Sequence, residues 1–273
     1  MTESLPLLLE PIQLEALLGR PDLLILDTSS AANYALHHVP GAIHIPPQAL
    51  QAGVKPAVGK LPSAEQLTEL FSHAGLAPDK HVIVYDDEGG GWAGRLIWTL
   101  DVLGHRNYSY LDGGLPAWVN EGHPVETHAN TGTPSAFVAH IDSAPIASLE
   151  QIIAGLDDSR RAIWDARSAD EYAGRKVVAA RGGHIPGAAN LDWLELMDRS
   201  RNLRLLPLEQ IRARLHSLGI SADKHIVTHC QTHHRSGLTY LVMKLLGFPS
   251  IQAYDGSWGE WGNRTDTPVA TAS

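Results

Sequence analysis

Short apolar runs alternate with stretches of helical periodicity along the whole chain. Val82 to Tyr85 and Ile226 to Thr228 have strand length and carry no charged residue, which reads as strands buried on both faces. Leu238, Leu241, Val242, Leu245 and Leu246 follow the i, i+3, i+4, i+7 spacing of a helix packed along one face. Gly247 is placed to stop that helix, and Pro249 follows shortly after. Strand–helix alternation of this kind predicts an α/β fold, with each sheet mostly parallel and covered by helices on both faces.

The pattern occurs twice, in the same order. Leu24-Ile25-Leu26-Asp27-Thr28 resembles Ala162-Ile163-Trp164-Asp165-Ala166, and Tyr34 follows Asp27 at the spacing at which Tyr172 follows Asp165. His38-Val39-Pro40-Gly41-Ala42 matches His184-Ile185-Pro186-Gly187-Ala188. Lys80 to Asp86 matches Lys224 to Cys230, Leu103-Gly104 matches Leu246-Gly247, and Asp112-Gly113 with Trp118 matches Asp255-Gly256 with Trp261. Such order argues for a duplicated unit. The expected domains are 1–126 and 146–273. Between them, 127–145 is rich in Thr, Pro, Ala and Ser, with one apolar patch at Ala136 to Ala139, and reads as a linker.

Composition narrows the setting. With 273 residues, 44% hydrophobic and 19% charged, the chain has the make-up of a globular protein with real cores. A single cysteine excludes an intramolecular disulfide, which fits a reducing, cytoplasmic location. Leu5 to Leu9 is short, interrupted by Pro6 and followed by Glu10, so no signal peptide is expected. No apolar run approaches the roughly 18 residues of a membrane span. Charge is uneven: residues 1–126 carry 6 Lys+Arg against 15 Asp+Glu, whereas 127–273 carry 15 of each. The acidic half disfavours nucleic acid and anionic membranes as partners, and the neutral half is the better place to receive an anion.

That neutral half holds the lone cysteine, in His229-Cys230-Gln231-Thr232-His233-His234-Arg235-Ser236-Gly237. A strand leads in and a helix leads out, so the thiol lies beyond the carboxyl end of a strand, where open α/β sheets bind ligands. The following helix's N-terminus, the loop amides and Arg235 should all lower its pKa and favour the reactive thiolate. Arg235 can offer a planar fork of donors to an oxyanion, and Gly237 is expected to ease the turn into the helix. His229, Cys230, His233 and His234 are also metal-ligand types, but no second Cys/His pair stands at ligand spacing, and no metal is expected. His184 and His225 read as a turn and a strand residue.

Taken together, the Asp-bearing strand ends, the two His-x-Pro-Gly-Ala turns, the Asp-Gly-x4-Trp turns and the cysteine loop resemble the two-domain rhodaneses, the thiosulfate sulfurtransferases. The likeness covers nearly the full length. The Cys-Gln-Thr-His-His-Arg loop is especially similar to that of rhodaneses of the Azotobacter and Pseudomonas type. In that superfamily a loop one residue longer, Cys-x5-Arg, goes with cell-cycle phosphatases; the loop here has the shorter, sulfur-transferring form. The resemblance implies two tandem rhodanese-like α/β domains and a two-step transfer through Cys230. The thiolate takes sulfur from a small anionic donor such as thiosulfate, becomes a persulfide, and passes the sulfur to cyanide or a thiol. No cofactor is implied beyond that covalent persulfide. Arg235, Gln231, Thr232, His233 and His234 would bind substrate, with the amides of residues 231–235 around the persulfide. A non-enzymatic persulfide carrier that delivers sulfur to an accepting protein is the alternative.

The same register places Asp86 opposite Cys230, and Asp87 and Glu88 would repel an anion, so the first half should be catalytically silent. Two features depart from vertebrate-type thiosulfate enzymes. Gln231 and Thr232 stand where those enzymes are basic, and Glu171 precedes Tyr172 where they carry an arginine. Arg167, Arg175 and Arg181 are the candidates for supplying positive charge instead, although Arg167 reads first as a structural partner of Asp165 or a neighbour.

Overall fold

The computed structural model describes residues 5–271. In chain order the strands are β1 (Leu8–Leu9), β2 (Leu23–Asp27), β3 (Ile43–His44), β4 (His81–Tyr85), β5 (Tyr108–Leu111), β6 (Arg161–Asp165), β7 (Ala189–Asn190), β8 (Met197–Asp198), β9 (Arg204–Leu205), β10 (His225–His229) and β11 (Ile251–Ala253). Among the described residues they form one sheet ordered β1-β5-β4-β2-β3, a second ordered β11-β10-β6-β7, and a ribbon of β8 with β9. Every pairing in the two larger sheets is parallel, and the ribbon is antiparallel.

Alternation along the central strands explains the layers. Ile25 and Ile83 join Leu14, Leu115 and Trp118 in one core. Their neighbours Leu24, Leu26, Val82 and Val84 are also buried and face the other side, because successive strand residues point oppositely. A strand without a polar position needs cover on both faces, which helices supply. In the second sheet Ile163 and Val227 pack with Leu149, Ile152, Trp258 and Trp261. On the opposite face the helix Arg235–Leu245 lies against β10 and β11, and Thr239 is hydrogen-bonded to Thr228. The helix thus begins three residues before the apolar spacing becomes visible, so Gly237 lies inside its first turn rather than before it. No helix among the described residues is long and apolar enough to cross a membrane.

The repeated motifs perform the same work twice. In each Val/Ile-Pro-Gly-Ala turn, proline presets the bend and glycine takes a left-handed backbone, φ +76° at Gly41 and +77° at Gly187. The Tyr34 hydroxyl donates to Ala42 O at 2.8 Å, and Tyr172 to Ala188 O at 2.6 Å, so each tyrosine holds its turn. His38 stacks on Tyr34 at 4.0 Å and His184 on Tyr172 at 3.7 Å. Trp118 Nε1 reaches Pro124 O, and Trp261 Nε1 reaches Pro268 O. At the two Leu-Gly helix ends, His105 and Phe248 donate back to Leu100 O and Met243 O, closing both helices alike.

Packing divides the chain into two units whose main break, after Asp142, lies inside the expected linker, with two exchanged segments that the sequence did not suggest. One comprises the chain up to Leu50 with Pro62–Asp142 and Met197–Leu205; the other comprises Gln51–Leu61, Ser143–Leu196 and the chain from Leu206. Most of the stretch read as a linker is bound within the first unit. Asn130 N donates to Tyr34 Oη, Ser135 N to Ser72 O, and Ala139 N to Thr68 Oγ1. Residues 197–205 join that unit because Arg204 pairs with Glu10 and Glu121 and because Leu205 N donates to Asp112. Residues 51–61 join the second unit through Leu61 N on Asp255 and Lys60 Nζ, 3.1 Å from Glu260.

The paired tyrosine bonds make a direct test of the repeat. Tyr34→Phe and Tyr172→Phe should each lower unfolding free energy by about 1–2 kcal/mol, since each removes the hydroxyl that donates to its turn carbonyl. Urea denaturation of both variants checks this; a loss at one site only would deny the tyrosines equivalent roles.

Candidate active site

Cys230 follows the last residue of β10 and has no exposed surface. The backbone around it is fixed carbonyl by carbonyl. Cys230 O accepts from Trp258 N and Gln231 O from Gly259 N, both at 2.9 Å. Thr232 O accepts from Gln51 Nε2 at 3.0 Å. Each peptide is trans, so a carbonyl tied to one side sends the next N–H to the other. Two residues accept unusual backbone angles to achieve this: His233 has φ +53° and Ser257 φ +52°. Such conformations cost on the order of 1 kcal/mol each and persist where surrounding contacts over-determine them.

Ser257 is the hub of the arrangement. Its hydroxyl accepts from Cys230 N at 3.3 Å and His233 N at 3.0 Å, and donates to Tyr254 O at 2.9 Å. The expected ring of amides from 231 to 235 is therefore incomplete, because His233 N is spent on Ser257. The thiol is instead served by Ser236, whose hydroxyl and amide both act on it. Burial alone would push the thiol up; the charge of Arg235, the two Ser236 donors and His234 outweigh it, and Cys230 ionises below the ordinary thiol value. Ser236 is itself oriented by His233 Nδ1 at 2.7 Å.

Arg235 does not hold its fork open. Nη1 and Nη2 bond Glu171 Oε2 and Oε1 at 2.7 and 2.9 Å, a bidentate pair. Glu171 is buried, and it closes a capping box with Ser168 at the start of the helix Ala169–Tyr172. Burial works against its charge, but the Arg235 bonds and the Ser168 donors pull its carboxyl down to about 2. The acidic residue that departs from the vertebrate pattern is thus the direct partner of the loop arginine.

The remaining candidates divide. Gln231 Nε2 donates to Val178 O at 3.3 Å, and His234 meets the Trp193 ring edge-on at 5.5 Å. Thr232 enters through its carbonyl, bound by Gln51. Arg167, Arg175 and Arg181 are each engaged with other groups. Arg167 is buried on Asp165 at 2.6 Å and over the Trp258 ring at 4.4 Å. Arg175 pairs with exposed Asp170, and Arg181 binds the carbonyls of Thr267 and Trp261. His229 is buried with Nε2 3.6 Å from Asp165, and desolvation holds it down, in its neutral form. No cluster of three or more His, Cys, Asp or Glu among the described residues is arranged to hold a metal ion.

The first unit shows what the same loop does around a carboxyl group. Asp86 Oδ1 accepts from the amides of Glu88, Gly89 and Gly90 at 3.1, 3.1 and 2.8 Å, and Oδ2 from Ala93 N at 3.0 Å. Its carboxylate fills the cradle in the register of Cys230. Burial and the Glu88 charge push it up to about 6 despite those four donors.

Sequence reasoning missed Ser236, Ser257 and Gln51. Ser236 had a local signal, lying one residue past Arg235 in the first turn of a helix. Ser257 follows the repeated Asp-Gly pair, and Gln51 had no local signal at all.

Comparison with known proteins agrees with this geometry. A family profile described as the rhodanese-like domain matches residues 10–121 and again 148–264. A thiosulfate sulfurtransferase of Azotobacter vinelandii is 53% identical, with 97% of each chain covered. Another from Pseudomonas aeruginosa is 49% identical over the same shares of the two chains. Among solved structures, an anaerobic ergothioneine biosynthesis enzyme from Chlorobium limicola superposes with a TM-score of 0.87. It is 20% identical, and the match covers 98% of this chain and 70% of that one. Two matched domains in one chain, the second carrying a buried thiol at its strand–helix loop, make this protein a member of the rhodanese family.

Proposed function

We propose that the chain is a thiosulfate sulfurtransferase that works through a Cys230 persulfide. The observation that carries this reading is the Cys230 thiol, whose ionisation is favoured by Arg235 and Ser236 although it is fully buried. The two relatives that cover the chain almost end to end bear that activity in their names.

In the first step the Cys230 thiolate attacks the outer sulfur of thiosulfate. A sulfur–sulfur bond forms, the bond to the sulfonate sulfur breaks, and sulfite leaves with the electron pair. In the second, cyanide attacks the terminal sulfur, thiocyanate departs, and the thiolate returns. One displacement is split into two, as covalent catalysis requires. Ser236 stabilises the sulfur anion in both resting forms. Arg235 serves the sulfonate end only by releasing Glu171, so Glu171 sets how readily a dianionic donor is received. With one cysteine in the chain, no internal thiol competes for the persulfide, which persists until an outside acceptor arrives. A reducing compartment such as the cytoplasm suits that chemistry. Asp86 has no atom to accept sulfur, and its cradle is full, so the first unit does not turn over.

Intact mass after thiosulfate treatment should rise by one sulfur atom, return to the start with cyanide, and stay unchanged in Cys230→Ala. Sulfur uptake by the alanine variant would refute the assignment.

Glu171→Gln keeps the shape of the partner and removes its charge. Freed from the carboxylate, Arg235 should bind thiosulfate better, with KM falling several-fold; an unchanged KM in steady-state assays would mean that Arg235 never meets the donor. Arg235→Lys retains the charge but loses the fork, and should raise KM for thiosulfate by about 10-fold.

The same carboxyl predicts an acid limb. Its folded value of about 2 lies below the ordinary 4.5, so its stabilising contribution is complete above 4.5 and is lost as pH falls toward 2. Melting temperature followed from pH 5 downward should fall less steeply in Glu171→Gln than in the native chain.

A further inference from the structure

We propose that Gln51 is a positioning residue for sulfur transfer, holding the Thr232–His233 peptide so that its carbonyl cannot turn toward the sulfur; the proposal rests on Cys230 being the atom that carries sulfur. Gln51 lies about 180 positions before the cysteine loop and opens the segment Gln51–Leu61, which packs as part of the second unit.

That segment is built as a rigid arm. Ala52 N donates to Lys60 O at 2.7 Å and Gly53 N to Val58 O at 3.0 Å, closing it on itself. Leu61 N donates to Asp255 Oδ2 at 2.9 Å, and Lys60 Nζ stands 3.1 Å from Glu260 Oε2. Asp255 and Glu260 flank Ser257, the acceptor for Cys230 N and His233 N. The arm is thereby referenced to the same short helix, Ser257–Trp261, that fixes the other side of the loop.

Against the loop the fit leaves no slack. A Cβ added to Gly59 would collide with the carbonyl of Thr232, and one on Gly259 would lie 3.0 Å from Gln231 O and 3.1 Å from Pro56 O. Backbone meets backbone here, and only glycine permits it.

The peptide between Thr232 and His233 is consequently gripped from both ends. Gln51 Nε2 holds its oxygen at 3.0 Å, and Ser257 Oγ holds its N–H at 3.0 Å. His233 sits at φ +53°, a conformation seldom adopted by a side-chain-bearing residue. Relief of that angle turns the peptide about its long axis. Such a turn would swing the carbonyl oxygen toward the cysteine side of the loop and break the bond from His233 N to Ser257, the hydroxyl that also holds Cys230 N. Gln51 supplies a side-chain donor to that oxygen, so its removal loosens the peptide at that end.

The test compares Gln51→Ala, Gln51→Met, which keeps the length without the donor, and Gly59→Ala, which forces the carbonyl from the other side. Persulfide formation from thiosulfate, read by stopped mass measurement, should slow about 10-fold in each; loss of a donor aimed at the reacting charge itself typically costs 10²–10³, and Gln51 acts through one further bond. The pH midpoint for alkylation of Cys230 should rise in all three by roughly half a unit, a shift that a general loss of stability would not produce. Native rates and an unshifted midpoint in Gln51→Met overturn the proposal. Should the native chain take up no sulfur, the sulfurtransferase reading fails, and the alkylation midpoints still decide whether Gln51 orders the loop around the thiol.

Discussion

An ionised sulfur withdrawn from water loses several kcal/mol of solvation unless nearby dipoles and charges replace it. Cys230 has no exposed surface, and its pKa is nonetheless lowered. Ser236 and Arg235 supply the replacement, and the rest of the second unit keeps them in place. Ser257 and three outward-tied carbonyls orient the loop, and the buried Asp165–Arg167 pair, with Trp258 stacked on the guanidinium, braces its base. None of these groups does chemistry alone. Each restricts where a neighbour can point, so that the Ser236 donors and the Arg235 charge stay directed at the sulfur.

The two units resolve one electrostatic problem in two ways. In the first, an aspartate carboxylate permanently occupies the cradle of amides, and four main-chain donors are satisfied within the chain. In the second, a buried thiol stands at that register and is served by Ser236 and Arg235. Duplication preserved the scaffold, as the matching Tyr–His stacks and Pro-Gly turns show. The loops themselves diverged along their length, Asp86-Asp87-Glu88-Gly89 against Cys230-Gln231-Thr232-His233. Glu171 adds a further restraint, because a positive fork already neutralised by a buried carboxylate attracts anions weakly until the pair opens.

Much of this was legible from the residues. The apolar runs marked the central strands, the repeated His-x-Pro-Gly-Ala turns marked the duplication, and the lone cysteine between a strand and a helix marked the site. Those signals are local: a turn needs its proline and glycine side by side, and a helix shows its spacing within a dozen residues. What escaped was non-local. Nothing near Gln51 indicates a bond to Thr232, and nothing near Arg204 indicates partners at Glu10 and Glu121. Ser257 reads as an ordinary turn residue until its left-handed backbone brings its hydroxyl under two loop amides. The Thr, Pro, Ala and Ser content of 127–145 suggested a linker, whereas the amides of Asn130, Ser135, Ala139 and Asp142 are hydrogen-bonded to the first unit.

The assignment of residues 51–61 and 197–205 to units opposite their place in the sequence bears on how the chain is made. During synthesis the early half emerges without the β8–β9 ribbon, whose Arg204 joins Glu10 to Glu121. It must wait for some eighty further residues before its own surface is complete. The late half, by contrast, finds Gln51 and Lys60 already released from the ribosome. The first unit therefore stays unfinished until well into the synthesis of the second, and the cysteine loop is complete only after Ser257 and Trp258 have followed.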